Sequence, residues 1–337
     1  MNDNYKYFHK YLACPHTQTD LEYVNKEKPN FFKSGSNIYP IQNDVPILLS
    51  KLNYKNTEDA HYIKSIEDFW NSGWEKRSEE DDHSFLYDLD EDKFFTRLKQ
   101  RFDKQELRGK DIGEYHSNEI KFNSLADQTC VIIGPGCGEE AMELNLICKA
   151  KVIGVDISYK SANLTNKLLH KFGDKSGIGI QGDSRFLPIK SNSIDFVFSN
   201  GVIHHSPNIE KSIAEIHRVL KPNGRFSIAL YHKHSVTWLK FLLKALLKGN
   251  WSKKSLEDYI SIQTEVAWIT SDKKNPHTRL FSKPQCLRLF DKFNNLHVRP
   301  GAFSTPGNFY LKFLGLFKNT KLMSKLGSMI YISGSKT

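Results

Sequence analysis

The chain has 337 residues, ordinary apolar and charged fractions and a formal charge of +10, which allows a core without disulfide or metal staples and excludes disordered and fibrous classes. No run of roughly 18 or more apolar residues and no apolar leader stretch occur, and the five scattered cysteines (Cys14, Cys130, Cys137, Cys148 and Cys286) suit free thiols, so the expectation is a cytoplasmic protein. The basic excess attracts polyanions in general, but residues 58–92 are acidic and no RNA-binding or zinc-finger spacing accompanies the lysines, so nucleic acid is not the expected partner.

Residues 1–52 read as a small N-terminal module. It is rich in Asn, Lys and Tyr and ends in Asn37–Leu49, where Pro40 and Pro46 bracket an Asn-Asp turn between apolar pieces, the pattern of two short strands. After a polar linker, residues 60–125 take up a helical period. Ile63, Ile66, Phe69, Trp70 and Trp74 share one face, and Phe94, Phe95, Leu98 and Phe102 share another, with an acidic, turn-like stretch (Ser78–His83) between them. Such stripes usually mean burial, so helix-packing core is preferred over the alternative, a lid above a ligand pocket.

Residues 126–234 alternate strand, turn and helix. Thr129–Ile133, Lys151–Val155, Ser193–Ser199 and Arg225–Leu230 read as strands, and Glu139–Cys148 as a helix. A second helix, Asn208–Leu220, carries Ile209, Ile213, Ile216 and Leu220 on one face and stops at Lys221-Pro-Asn-Gly224. This alternation specifies an α/β fold, a doubly wound, Rossmann-like, mostly parallel sheet.

The chemistry-bearing residues fall at successive strand ends. Gly134-Pro-Gly136-Cys-Gly138 lies between a strand and a helix, where glycines let backbone approach a ligand closely. Its spacing lacks the glycine placement of a dinucleotide fingerprint, and Glu139 opening the next helix suits a cationic ligand better than a pyrophosphate. Asp156 ends the second strand, where a carboxylate can accept ribose hydroxyls. Gly182-Asp183-Ser184 follows the third strand and Asn200-Gly201 the fourth, in the crevice where ligands bind in such sheets.

Taken in order, these elements resemble the class I S-adenosylmethionine-dependent methyltransferases of the small-molecule, type 11-like family. The resemblance rests on the G-x-G-x-G loop, Asp156, the Gly182-Asp183 pair, Asp195-Phe-Val-Phe-Ser-Asn-Gly-Val-Ile-His-His205 and Glu215-Ile-His-Arg-Val-Leu-Lys-Pro-Asn-Gly224. Pro135 departs from the usual small residue and stiffens the turn. The resemblance implies a seven-stranded sheet and S-adenosyl-L-methionine as cofactor. It implies Gly134, Gly136 and Gly138 at the methionine part, Asp156 at the ribose, Asp183 with Ser184 at the adenine, and Asn200 nearby. His205 and His204 are the candidate bases, since an imidazole titrates near neutral pH. His232 and His234 are secondary candidates, and no acid stands at Leu230 or Tyr231.

The N-terminal module resembles the zinc-ribbon-like segment found alone or fused to methyltransferases. Cys14 and His16 lack a second ligand pair, so no metal site is expected, and the module reads as a metal-free relic packed on the catalytic domain or covering substrate. Residues 235–337 read as an amphipathic cap insertion and the final strands. Val236–Leu247, with Lys240, Lys244 and Lys248 at i+4 spacing, and Phe309–Leu326 suit either a membrane surface or a cap over the pocket, the cap being preferred; Lys321 onward, with Met329–Ser333, can supply the last strand. The expected acceptor is a small or lipid-like molecule or a glycan. The competing reading is an RNA methyltransferase, against which stands the missing Asn-Pro-Pro-aromatic run.

Overall fold

The computed structural model describes residues 3–24, 30–49, 57–80, 89–112, 122–173, 176–247, 249, 275, 277–301 and 325–337. Helix α1 (Asp3–Phe8) precedes a four-stranded antiparallel sheet of β1 (Glu22–Val24), β2 (Phe31–Ser34), β3 (Asn37–Gln42) and β4 (Val45–Pro46), paired in that order. Asn43 and Asp44 turn β3 into β4 with φ of 46° and 59°. Two positive φ values are the signature of a type I′ hairpin, which Asn and Asp tolerate best after glycine. Two helices follow, α2 (Thr57–Glu80) and α3 (Glu91–Ile112).

The main sheet comprises β5 (Thr129–Ile133), β6 (Lys151–Asp156), β7 (Gly177–Gln181), β8 (Ile194–Asn200), β9 (Leu220–Tyr231), β10 (Asn294–Gly301) and β11 (Met329–Ser335), in the order β10-β11-β9-β8-β5-β6-β7. β11 runs antiparallel to both neighbours, and the pairs among β5 to β9 are parallel. This is the seven-stranded, mostly parallel sheet the sequence implies. Every residue of β5 is buried, as a central parallel strand requires. The chain steps outward from β5 to β7 and then returns to β8 on the other side of β5, so a crevice opens at the carboxyl ends of these strands.

The connecting helices are α4 (Glu139–Met142), α5 (Tyr159–Phe172), α6 (Ile209–Val219), α7 (Val236–Leu247) and α8 (Lys283–Leu289). On α6, Ile209, Ile213, Ile216 and Val219 are buried, and the Asn208 side chain caps the helix by accepting from the Lys211 N–H. The helix expected over Glu139–Cys148 is α-helical only to Met142; Glu143–Ile147 is a π turn that carries a buried Glu143.

The N-terminal module covers the outer edge of the main sheet. The Leu48 N–H donates to the Gln181 carbonyl at 2.9 Å, Ile47 bridges Gln181 in parallel, and Leu12 bridges Ile189. Phe8, Leu12, Phe32 and Leu48 share one core with Ile178, Ile180 and Ile189. An exposed edge strand is a template for unwanted pairing, and the module occupies it. Residues 57–59 of the polar linker expected over 51–59 and residues 78–80 of the acidic, turn-like stretch are instead helical, the two ends of α2. Residues 51–56 and 81–83, and residues 309–324 of the second amphipathic segment, lie outside the described residues. Among the described residues no helix is long and apolar enough to cross a membrane.

Candidate active site

A cavity of about 510 Å³ opens at the carboxyl ends of the central strands, within the size range of small-molecule sites. Its floor is the Gly134–Gly136 turn after β5, Asp156 at the end of β6, Asp183 to Arg185 after β7, and Asn200 with Gly201 at the end of β8. α2 supplies a roof of Ile63, Ile66, Trp70 and Trp74, and β9 and β11 close the far side with Tyr231, Met329 and Tyr331. Ile63 and Ile66 are only 6% exposed. The aromatic stripe expected to be packing core is therefore divided: Phe69 is buried, while Ile63, Ile66, Trp70 and Trp74 face the cavity.

Two of the three loop glycines reach the cavity. Gly136 has φ +60, and a Cβ there would lie 2.7 Å from the Trp74 ring. Gly138 does not line the cavity. Its φ is +90, and a Cβ would meet the Thr165 Cα at 3.0 Å, so its glycine lets the turn pack closely on α5. That is the packing use of a third loop glycine rather than ligand approach.

Asp156 is buried in the cavity floor. Its carboxylate accepts from the Ser158 N–H at 2.9 Å and the Ser161 hydroxyl at 2.5 Å. Burial pushes its pKa up to about 6, against the opposing pull of the hydrogen bonds from Ser161, Ser158, Gly136 and Ile157. The same carboxylate thus organises the glycine turn and the start of α5.

Asp183 is engaged by Arg185. The guanidinium donates to both carboxylate oxygens, at 2.7 Å from Nη2 and 3.1 Å from Nε, and the Arg185 N–H adds a bond of 2.8 Å. Both side chains are less than a tenth exposed. Ser184 lines the cavity, and its hydroxyl lies 2.9 Å from the Ser212 hydroxyl.

The third feature has no counterpart in the sequence expectations. Arg101, on α3, reaches Glu139 at 2.9 Å, Glu140 at 3.6 Å and Glu143 at 3.5 Å. Burial works against the Arg101 charge, but Glu143, Glu139 and Glu140 outweigh it and raise its pKa. Burial pushes Glu143 up to about 8 and Glu140 upward as well, despite Arg101. Glu140 also accepts from the Asn200 side-chain amide at 2.8 Å, so a residue of the α3–α4 contact orients Asn200 at the tip of β8.

His205 and His204 follow β8 in a tight 3-10 turn, their ring centroids 4.1 Å apart and inclined at 52°. His205 lines the cavity, its ring 5.3 Å from that of Trp70. Its Nδ1 lies 2.9 Å from the His277 carbonyl, 3.2 Å from the Thr278 hydroxyl and 2.9 Å from the Asn275 amide nitrogen. His204 is behind the wall, fully buried and 3.9 Å from the Tyr231 ring, and neither ring nitrogen has a hydrogen-bond partner among the described residues. Burial, with His205 and His277 beside it, pushes the His204 pKa well below the usual histidine value. His232 donates from Nδ1 to the Gly327 carbonyl, 3.0 Å away, and lies outside the cavity wall, as does His234.

Of the residues singled out from sequence, Gly134, Gly136, Asp156, Asp183, Ser184, Asn200 and His205 share this cavity, and Gly138 and His204 stand behind it. Sequence reasoning did not place Arg101, Glu140, Arg185 or Tyr331 in the site. Only Arg185 carried a local signal, by adjoining the Gly182-Asp183 pair. In the N-terminal module the Cys14 thiol lies 3.1 Å from the Tyr39 hydroxyl, and no group of three or more His, Cys, Asp or Glu among the described residues is placed to hold a metal.

The charges lining the cavity test the cofactor. Four carboxylates (Glu139, Glu140, Asp156 and Asp183) stand against two guanidinium groups, Arg101 and Arg185. An acidic excess fits a sulfonium bearing an amine and opposes a pyrophosphate. A bare glycine turn and a desolvated carboxylate at the next strand tip complete a fit to an adenosyl sulfonium.

The sheet order and the crevice at its strand tips are those of a doubly wound, Rossmann-like fold. Residues 131–228 match the family model described as a methyltransferase domain. The chain is 25% identical over 188 residues to a sterol 24-C-methyltransferase of Schizosaccharomyces pombe, a match covering 51% of this chain and 50% of that one. It is 32% identical over 106 residues to phosphoethanolamine N-methyltransferase 2 of Caenorhabditis elegans, covering 32% of this chain and 24% of that protein. The chain therefore spans half or less of these two relatives. The solved structure of phosphoethanolamine N-methyltransferase 2 from Haemonchus contortus with S-adenosyl-L-methionine aligns at a TM-score of 0.44 and 18% identity, covering 63% of this chain and 49% of that one.

Proposed function

We propose that this protein transfers the methyl group of S-adenosylmethionine to a small-molecule or lipid-like acceptor. The observation that carries the reading is the convergence of the Gly134–Gly136 turn, Asp156, Asp183 and Asn200 on one cavity whose far wall is aromatic and apolar. The names of the sterol and phosphoethanolamine methyltransferases to which the chain is similar support an acceptor of this kind.

When bound, the cofactor supplies a methyl group on a cationic sulfur. The protein's part is to hold, orient and exclude water. Asp156 accepts the ribose hydroxyls, Asp183 with Ser184 faces the adenine, and the glycine turn with Asn200 and Glu140 frames the methionine end. Trp70 and Trp74, above the floor, keep water out. On the acceptor side, Tyr231, Met329 and Tyr331 offer flat apolar surface, and His205 is the group placed to take a proton. A carbonyl only accepts, so the 2.9 Å contact with His277 calls for a proton on Nδ1. That leaves Nε2 as the basic nitrogen. The Asn275 amide oxygen accepts from the His277 N–H at 3.2 Å, which leaves the amide nitrogen, 2.9 Å from Nδ1, as a contact that the Nδ1–H tautomer does not satisfy.

Titration calorimetry with S-adenosylmethionine and S-adenosylhomocysteine, followed by a labelled-methyl screen of metabolite and lipid extracts, tests the proposal. Binding of both compounds and label transfer into a small or lipid-like product are expected. No affinity for either compound refutes the cofactor site, and label incorporation into RNA alone refutes the acceptor class.

A further inference from the structure

Helix α7 carries a face that the methyl-transfer site does not use. It follows β9 directly and is tied to the cavity wall by one ring contact, Trp238 on Tyr231 at 5.1 Å. Trp238 and Ala245, seven residues apart, are its buried positions. On the side nearly opposite, Leu239, Leu243 and Leu247 repeat every four residues and are 55%, 52% and 88% exposed. They are half of the six large apolar side chains exposed among the described residues. No residue of α7 lines the cavity, so the roof belongs to α2.

At 100° per residue, Lys240 and Lys244 fall along one edge of this leucine stripe, between it and the packed face. The charge pattern is one-sided. From Val236 to Lys254 the sequence has five lysines and no acid, and beyond Asp291 it has seven Lys or Arg and no acid. With 12 residues, α7 is also too short to span a bilayer. Apolar side chains bordered by lysines on a helix anchored along its other face match a helix lying in the plane of a membrane interface. Pairing two copies through this stripe would bring the lysines of each against those of the other, which disfavours self-association.

We infer that α7 docks the protein on an anionic lipid surface, with Leu239, Leu243 and Leu247 entering the interface and Lys240 and Lys244 contacting headgroup phosphates. The Trp238–Tyr231 contact then sets the acceptor side of the cavity next to that surface. Docking reads out without turnover, so it stands or falls apart from the methyl-transfer reading.

The test is flotation of the full chain with vesicles of phosphatidylcholine alone and with an equimolar mixture of phosphatidylcholine and phosphatidylglycerol. The wild type should float with the anionic vesicles only, and less so as salt rises. Leu243→Ser with Leu247→Ser should lower vesicle affinity about tenfold or more, with cofactor affinity and melting temperature unchanged. Lys240→Gln and Lys244→Gln, surface changes that leave the core intact, should each lower it about fivefold and flatten the salt dependence. The inference is overturned if the wild type stays unbound, or if either set of variants floats like the wild type. It is equally overturned if the serine variants lose melting temperature while no vesicle binding exists, because the stripe is then covered by the chain itself. Loss of a concentration-dependent dimer without vesicle binding overturns it in favour of a second copy.

Discussion

The Trp74 ring lies so close over Gly136 that a Cβ on that glycine would approach it to 2.7 Å. The roof helix and the cofactor loop are thus fitted to one another at a single residue pair, although the two residues lie in separate regions of the chain. Gly136→Ala combines this clash with a φ of +60 that L-residues avoid. Cofactor affinity should fall about tenfold or more, read by calorimetry. Adding Trp74→Ala should recover part of the lost melting temperature, because the clash is relieved while the backbone strain stays. An alanine variant that binds as the wild type does contradicts the loop assignment.

Asp156 links cofactor binding to pH. Its pKa, about 6 in the fold, exceeds the ordinary value of about 3.9. Only the ionised form accepts both ribose hydroxyls, so cofactor affinity should fall as pH drops through about 6. Asp156→Asn should bind about tenfold or more weakly near neutrality and show little change over the same window. For the unliganded fold the sign is reversed. A raised carboxyl pKa means ionisation opposes folding, so this group should add stability as pH falls from about 6 toward 4. Affinity that does not vary with pH in this range removes Asp156 from the ribose.

His205 is expected to act on the acceptor and not on the cofactor. His205→Gln should lower kcat about a hundredfold or more, with the cofactor dissociation constant within about twofold of wild type. Steady-state kinetics on the acceptor found by the labelled-methyl screen, beside calorimetry, separates the two. Equal losses in both would make His205 a wall residue.

His204 is a stability liability. Its folded pKa lies below the ordinary histidine value of about 6.5, so the unfolded chain takes up its proton first and the fold loses stability as pH falls below about 6.5. His204→Leu removes a buried ring with two unpartnered nitrogens at similar volume. It should raise stability by about 1–3 kcal/mol at pH 5 and flatten the pH dependence measured by denaturant titration, with turnover kept. A loss of turnover with intact stability would put His204 back among the reacting groups.

The sequence by itself determined the core strands β5, β6, β8 and β9 and the order of the strand-tip residues. Buried parallel strands such as Thr129–Ile133 are mostly apolar runs, and the loop after β5 places glycine at each of its positive-φ positions, Gly134, Gly136 and Gly138, so both are written in local residue choice. Asp156, Asp183 and Asn200 are legible for the same reason, since a strand end fixes where they stand. The tertiary structure decided which side chains of the flanking elements face the ligand. The periodicity of α2 marks Ile63, Ile66, Phe69, Trp70 and Trp74 as one apolar face, and burial in a core or over a cavity looks identical until α2 meets Gly136 across the fold. Arg101 became part of the site only because α3 packs on the π turn beside Glu143, a contact between residues far apart in the chain. Between His204 and His205 the choice was made by a tight turn and by the His277 carbonyl, 72 positions away, because side-chain direction there depends on distant packing that no local pattern encodes.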